Sequence, residues 1–274
     1  MFEMELSLLL IMAAVALAAG FLDAIAGGGG LISLPALLVA GIEPVAAVAT
    51  NKVQASCASV SATVSFIRKG LLPWRDSLPM VFVSFMAGGA GAFAAGLIPS
   101  GTLDKVIPPL LIVVGVYFAL VRTPGNAERP PRCSALIFGA TAVPAIGFYD
   151  GLFGPGTGSF FLVAFVLVMG QGLMRALSSS KLMNASCNVG SLLVFSMTGK
   201  IIWPLAFAMA VGAFVGAQLG ARCAMRFGPG LVRPLLVTVC MAMAVKLLFF
   251  GAPMPTPLEP VTQGKSASIT AVSS

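Results

Sequence analysis

Six stretches of this chain, around residues 6–26, 77–98, 103–122, 134–153, 202–225 and 230–250, stay apolar for about the 20 residues that a helix needs to cross a bilayer. The runs are continuous rather than alternating, which is the pattern of membrane helices and not of barrel strands. Only 9% of the residues are charged, whereas a soluble domain carries about 25%. Most of the outer surface must therefore meet lipid. The sequence predicts an all-α polytopic membrane protein.

The flank of the first run holds Glu3 and Glu5 and no Lys or Arg, the opposite of the basic start of a signal peptide. It reads as a retained helix. The net charge of +7 would suggest nucleic acid in a soluble protein. Here the basic residues sit mainly in short loops, where they orient the helices, and no nucleic-acid partner is expected. The chain has no histidine, which removes the commonest metal ligand and the commonest proton shuttle. Cys57, Cys133, Cys187, Cys223 and Cys240 lack CxxC spacing and read as small packing residues. No metal, cofactor or catalytic residue is predicted.

An internal repeat organises the rest. Gly20-Phe21-Leu22-Asp23 recurs as Gly147-Phe148-Tyr149-Asp150. After each Asp comes a Gly-rich turn, Gly27-Gly28-Gly29-Gly30 or Gly154-Pro155-Gly156-Thr157-Gly158, and then an apolar run ending at Gly41 or Gly170. Lys52 and Lys181 follow, preceded by Thr50-Asn51 and Ser178-Ser179-Ser180. Phe66 with Phe195, Gly70 with Gly199, Trp74 with Trp203 and Gly91 with Gly220 continue at one constant offset.

Loop charges then relate the halves. Arg68, Lys69 and Arg75 mark the loop near 70 as cytoplasmic. Arg122, Arg129 and Arg132 mark the linker, and Arg222, Arg226 and Arg233 mark the loop near 228, in the same way. The loops near 101 and 200 lack such an excess and are expected outside. The segment 159–198 must then cross an even number of times. It breaks at Gly170-Gln171-Gly172, so it is expected to enter and return, as is 31–69 with its break at Gly41-Ile42-Glu43-Pro44. Each half thus holds three full transmembrane helices plus a re-entrant broken-helix hairpin, and the two form inverted repeats with both chain ends outside. The expected divisions are 1–122 for the first repeat, 123–133 for a cytoplasmic linker, 134–251 for the second repeat and 252–274 for a disordered tail rich in Pro, Ser and Thr.

The polar residues inside these segments are candidates for a site. A Gly run before a helix lets N–H groups converge where the helix end adds about half a positive charge, and two such turns from inverted repeats would face each other near the midplane. Gly28, Gly29, Gly30, Gly156, Thr157 and Gly158 are the candidates there. Gly88, Gly89, Gly91, Gly212, Gly216 and Gly220 read instead as close helix packing. Neither turn is followed by Gly-Lys-Ser/Thr, so a nucleotide P-loop is not indicated. A charge within a membrane segment is costly and is a functional candidate by default, which singles out Lys52 and Lys181. Thr50, Asn51, Ser179, Ser180 and Asn184 are neutral hydrogen-bonding companions suited to an oxyanion. Asp23 and Asp150 are open to three roles: proton carriers that couple transport, counter-ions to the lysines, or caps of the turns.

Asp23-Ala24-Ile25-Ala26-Gly27-Gly28-Gly29-Gly30-Leu31-Ile32 with Pro35, the run Ala49-Thr50-Asn51-Lys52, and the run Tyr149 to Ser159 resemble the TauE/SafE family of sulfite and organosulfonate exporters. The resemblance extends to about residue 250. It implies a multi-pass protein of the bacterial inner membrane that exports small sulfur-containing anions. Together with the donors above, the expected function is a secondary transporter moving a small anion by alternating access through a midplane site. A passive anion channel is the first alternative. An intramembrane aspartyl enzyme is the second, suggested by Tyr149-Asp150, but the Gly-x-Gly-Asp partner of such enzymes is missing, since Asp23 follows Gly20-Phe21-Leu22. The expected partners are the anion and the bilayer, with homo-oligomerisation left open.

Overall fold

A computed structural model describes residues 6–72, 74–99 and 128–227, with single positions 102, 106, 107, 109, 110, 113 and 114 in between. The apolar run 230–250, the proline-rich tail, the loop near 228 and most of 103–122 lie outside the described residues. Among these residues all regular structure is helical. The helices are α1 (Leu6–Ala26), α2 (Gly30–Val39), α3 (Pro44–Arg68), α4 (Leu78–Leu97, after a 3-10 turn at Trp74–Ser77), α5 (Ala135–Ala140), α6 (Ala142–Leu152), α7 (Thr157–Leu167), α8 (Leu173–Thr198) and α9 (Trp203–Phe227). Four stretches, Leu6–Ala26, Trp74–Leu97, Ala135–Leu152 and Trp203–Phe227, are long and apolar enough to cross a membrane.

The helices break where the sequence places glycine, and at matching points of the two halves. Gly27 and Gly154 follow α1 and α6 with φ of 85° and 93°, and Gly41 and Gly170 follow α2 and α7 with φ of 79° and 66°. Gly70 and Gly199 end α3 and α8 in the same left-handed region, which a side chain would strain. One break was not foreseen. The expected helix 134–153 is interrupted at Thr141, with φ −120° and ψ −68°. Pro144 supplies the reason, because a proline ring clashes with the carbonyl four residues back, here that of Ala140.

Lengths differ sharply around the second break of each half. α2 has 10 residues and α7 has 11, about 15–17 Å of helix. α3 has 25 and α8 has 26, about 38 Å. These two long helices carry most of the polar residues of the interior and are packed against each other. Thr50, near the start of α3, accepts a hydrogen bond from Ile202 N, just past the end of α8, at 3.1 Å. The end of the linker is tied to the α7–α8 break by Arg129 N to Gly170 O at 2.9 Å and Arg132 N to Val168 O at 2.8 Å.

The first helix of each half packs along the last described helix of the other: α1 on α9, and α6 on α4. Small residues set these distances. A Cβ added at Gly212, Gly216 or Gly220 would lie 2.1, 2.0 or 2.3 Å from the carbonyl oxygens of Ala13, Leu17 and Phe21. One at Gly91 would lie 2.1 Å from Phe148 O. With little hydrophobic force between helices in lipid, such backbone approach is what holds them together. Gly88 has the same use against Cys187, whereas Gly89 is less tightly enclosed.

Candidate functional site

The two Gly-rich turns meet. A Cβ on Gly27 would lie 2.3 Å from Gly158 C and Ser159 N, and one on Gly158 would lie 2.7 Å from Gly27 Cα. Gly30 faces Pro155 across the same contact. Only backbone without side chains permits this approach, which accounts for the glycines at 27 and 158. Ser159 clasps the turns by donating to Ala26 O at 2.6 Å. Tyr149 braces its own turn by donating to Pro155 O at 2.8 Å.

The N-termini of α2 and α7 therefore open toward one another. Neither has a side-chain cap on its N-cap residue, Gly29 or Gly156. Among the described residues, the N–H groups of Gly28, Gly30, Gly158 and Ser159 have no backbone acceptor. A helix end with unsatisfied N–H groups favours an anion. Asn184 adds a donor here, for its Nδ2 would be 3.3 Å from a Cβ on Gly158.

Beside the turns stand two buried ion pairs, and they cross between the halves. Lys52 on α3 meets Asp150 on α6 with Nζ to Oδ2 at 2.8 Å. Lys181 on α8 meets Asp23 on α1, also at 2.8 Å. Both lysines are at most 1% exposed. Both aspartates stand as counter-ions to the lysines. Asp23 has part of a second role, because its Oδ1 accepts a long bond from Gly29 N at 3.4 Å. The surroundings of the two lysines differ. Lys52 also donates to Asp150 O and, at 3.3 Å, to Asn188 Oδ1. Asn188 is held in turn by Nδ2 to Asn184 Oδ1 and Asn184 O, each at 2.8 Å. Lys181 donates to Asp23 alone among the described residues.

The other candidates divide. Asn51 Oδ1 accepts from Ser33 at 2.6 Å, which ties α3 to the first turn of α2. Thr157 turns back to Gly154 O, Ser180 to Leu177 O, and Ser179 reaches Gln171 at 3.0 Å in the α7–α8 break. The hydroxyls of Thr157, Ser179 and Ser180 thus spend their hydrogens on nearby protein acceptors, whereas that of Thr50 accepts from Ile202 N. Asn188, Ser33 and Ser159 escaped the sequence reading. Asn188 had a usable signal, being one helical turn beyond Asn184 and two beyond Lys181. Ser33 and Ser159 had none, since their partners are reached only through the fold.

Comparison with known proteins follows the same line. The model of the family described as sulfite exporter TauE/SafE matches residues 12–247. The chain is 42% identical over 246 residues to a protein of a Sinorhizobium species named probable membrane transporter protein ORF9, covering 90% of this chain and 94% of that one. It is 43% identical over 235 residues to the probable membrane transporter protein YfcA of Escherichia coli, covering 86% and 87%. A probable membrane transporter protein of Haemophilus influenzae is 38% identical over 247 residues, covering 90% and 97%. No solved structure matches.

Proposed function

This chain belongs to the sulfite exporter TauE/SafE family, and on that premise we propose that it is a secondary transporter exporting a small oxyanion, sulfite or a short organosulfonate, across a bacterial inner membrane. The observation that carries this reading is the meeting of two helix N-termini that keep unsatisfied N–H groups, beside two crossed Lys–Asp pairs. The groups left free at the turns, Gly28, Gly30, Gly158, Ser159 and Asn184 Nδ2, are donors. The nearby acceptors, Asp23 and Asp150, are already engaged by the lysines. Donors without free acceptors suit an anion and suit a cation or an apolar solute poorly. The two pairs cancel in charge, so a resting site without cargo stays neutral in the low-dielectric interior, where an unpaired charge is costly. Sulfur rests on the family description alone.

Alternating access by inverted repeats is the accompanying architecture. Its support is that α3 and α8, which match in the repeat, lie with the start of one beside the end of the other. About 15–17 Å of helix does not cross a hydrocarbon core of about 30 Å. This reading moves the point of return from the breaks at 41–44 and 170–172, where the sequence alone suggested it, to the Gly-rich turns: α2 and α7 are the short arms of the re-entrant elements, running from midplane turns back to the surface, and α3 and α8 cross fully. The contact of Arg129 with Gly170 supports an α7–α8 break on the same face as the linker. Cysteine labelling tests the sidedness. The loops near 71, 127 and 228 should be cytoplasmic, and the loops near 101 and 200 and both termini periplasmic. Termini on opposite faces would end the inverted-repeat reading.

The cargo is tested by flux in proteoliposomes with imposed gradients of sulfite, sulfate, methanesulfonate and acetate. Saturable movement of a sulfur oxyanion, lowered about tenfold by Gly29→Ala, is the expected result. An added Cβ there would lie 2.7 Å from Asp23 Cβ and 2.8 Å from Ala19 O. Unsaturable conductance would indicate a channel, and movement of metal cations untouched by that substitution would overturn the anion reading.

A further inference from the structure

We propose that the two buried lysines have different tasks: Lys181 is the cation that holds the transported anion, and Lys52 is a positioning residue that locks the facing turns in place. The proposal rests on the transporter reading and goes further by dividing the site. An ammonium group has three donor hydrogens. Those of Lys52 meet Asp150 Oδ2, Asp150 O and Asn188 Oδ1. Its head also lies against the second turn, with Nζ 3.0 Å from where a Cβ of Gly154 would sit. Every donor is spent on protein. The acceptors come from α6 and α8, so one side chain of α3 ties together the helix before the second turn and the long helix behind it.

Lys181 is wholly buried and has one acceptor, Asp23 Oδ2 at 2.8 Å. Two of its donor hydrogens are left without protein partners among the described residues. Burying an unsatisfied charged donor costs more than burying a neutral one, so this is where an acceptor is missing. An oxyanion supplies several acceptor oxygens to one cation. The partner aspartate is also the more accessible of the two, its side chain 9% exposed against 1% for Asp150. Asp23 already shares its other oxygen with Gly29 N, at the first turn. An anion that takes the free hydrogens of Lys181 therefore arrives beside the start of α2.

The difference has a local cause. Asn188, the third acceptor of Lys52, has Ser59 at its matching register position in the first half. Ser59 is turned to its own helix, donating to Ala55 O at 2.7 Å. The first half thus has no side chain in the role of Asn188.

The experiment measures anion binding by calorimetry in nanodiscs, with sulfite, sulfate and methanesulfonate as probes. It uses wild type and two double variants that remove each pair as a neutral unit, so that no lone charge stays buried. D23N/K181M should lower affinity by about tenfold or more while the protein remains monodisperse. D150N/K52M should lower the thermal midpoint further, and should lower affinity by clearly less than D23N/K181M does. Asn188→Ser, which gives Lys52 the register residue of the other half, carries the test if that double variant does not purify. It should lower the thermal midpoint and move affinity by less than about threefold. Equal losses from the two double variants, wild-type affinity in D23N/K181M, or a tenfold loss in Asn188→Ser would overturn the division. Binding of none of the probes to wild type would overturn the anion reading itself, a different failure read from a different sample.

Discussion

At one pair of repeat positions the two halves make opposite choices. Where α4 crosses α8 the positions hold Gly89 and Gly190, and the helices close until a Cβ on Gly190 would lie 2.1 Å from Phe85 O. Where α9 crosses α3 the same positions hold Gln218 and Ser61. These are polar and joined, with Gln218 Nε2 donating to Ser61 Oγ at 2.7 Å and Ser65 Oγ donating to Gln218 Oε1 at 3.1 Å. Beside this crossing lies a groove of ≈ 400 Å³ bounded by residues such as Ser56, Val60, Arg68 and Phe214. Two buried oxygens on α3, Gln54 Oε1 and Ser56 Oγ, have no partner among the described residues, and Ser56 borders the groove. At the tight crossing, Ser84, Ser186 and Ser191 all donate to carbonyls of the facing helix. The described breaks fall at matching points of the two halves. Side-chain volume at two positions then decided which crossing is sealed and which keeps room and unsatisfied polar groups, and a loosely packed crossing is the easier one to shift in a transport cycle.

The largest effect is expected at the sealed crossing. Gly190→Ala forces a methyl group into backbone and should destabilise the protein by about 1–3 kcal/mol, read as a lower thermal midpoint in detergent. A midpoint equal to wild type would mean that the tight approach is not needed. The matching change at the open crossing, Ser61→Ala, removes one hydroxyl from the Gln218 network. It should cost about 1 kcal/mol, and a larger loss than Gly190→Ala would reverse the comparison. Gln54→Leu replaces a buried amide whose oxygen is unsatisfied with an apolar group of similar size. It should leave stability unchanged or raise it by about 1 kcal/mol. A clear loss would show that the amide has a partner, such as bound water or cargo. Smallest of all, Val60→Leu on the groove should shift stability by no more than about 0.5 kcal/mol in either direction, while the same added methylene at a sealed position would not be tolerated.

Much of the fold was legible in the chain because its causes are local. Hydropathy over some twenty residues marks a span, and the positive-φ glycines at 27, 41, 70, 154, 170 and 199 mark the breaks. Internal comparison alone was enough to match the halves. The two facing turns and the pairing of carboxylates with lysines were foreseen as options, since a buried charge in lipid requires a partner. What the sequence did not contain was the choice among those options.

Lys52 pairs with Asp150 across 98 residues and Lys181 with Asp23 across 158, and no local pattern says that the pairs cross rather than close within each half. The crossing depends on α1 lying along α9 and α6 along α4. That contact is set by glycines whose partners are distant backbone carbonyls. The unequal satisfaction of the two lysines likewise rests on a single side chain, Asn188, whose direction is fixed by packing. By itself the sequence determined which segments are long and apolar enough to enter a membrane, where all but one of the described breaks fall and which residues carry charge, because those follow from composition and backbone sterics over a few turns. Only the tertiary structure decided which charge meets which and which donors stay free, because those are properties of distances between segments far apart in the chain.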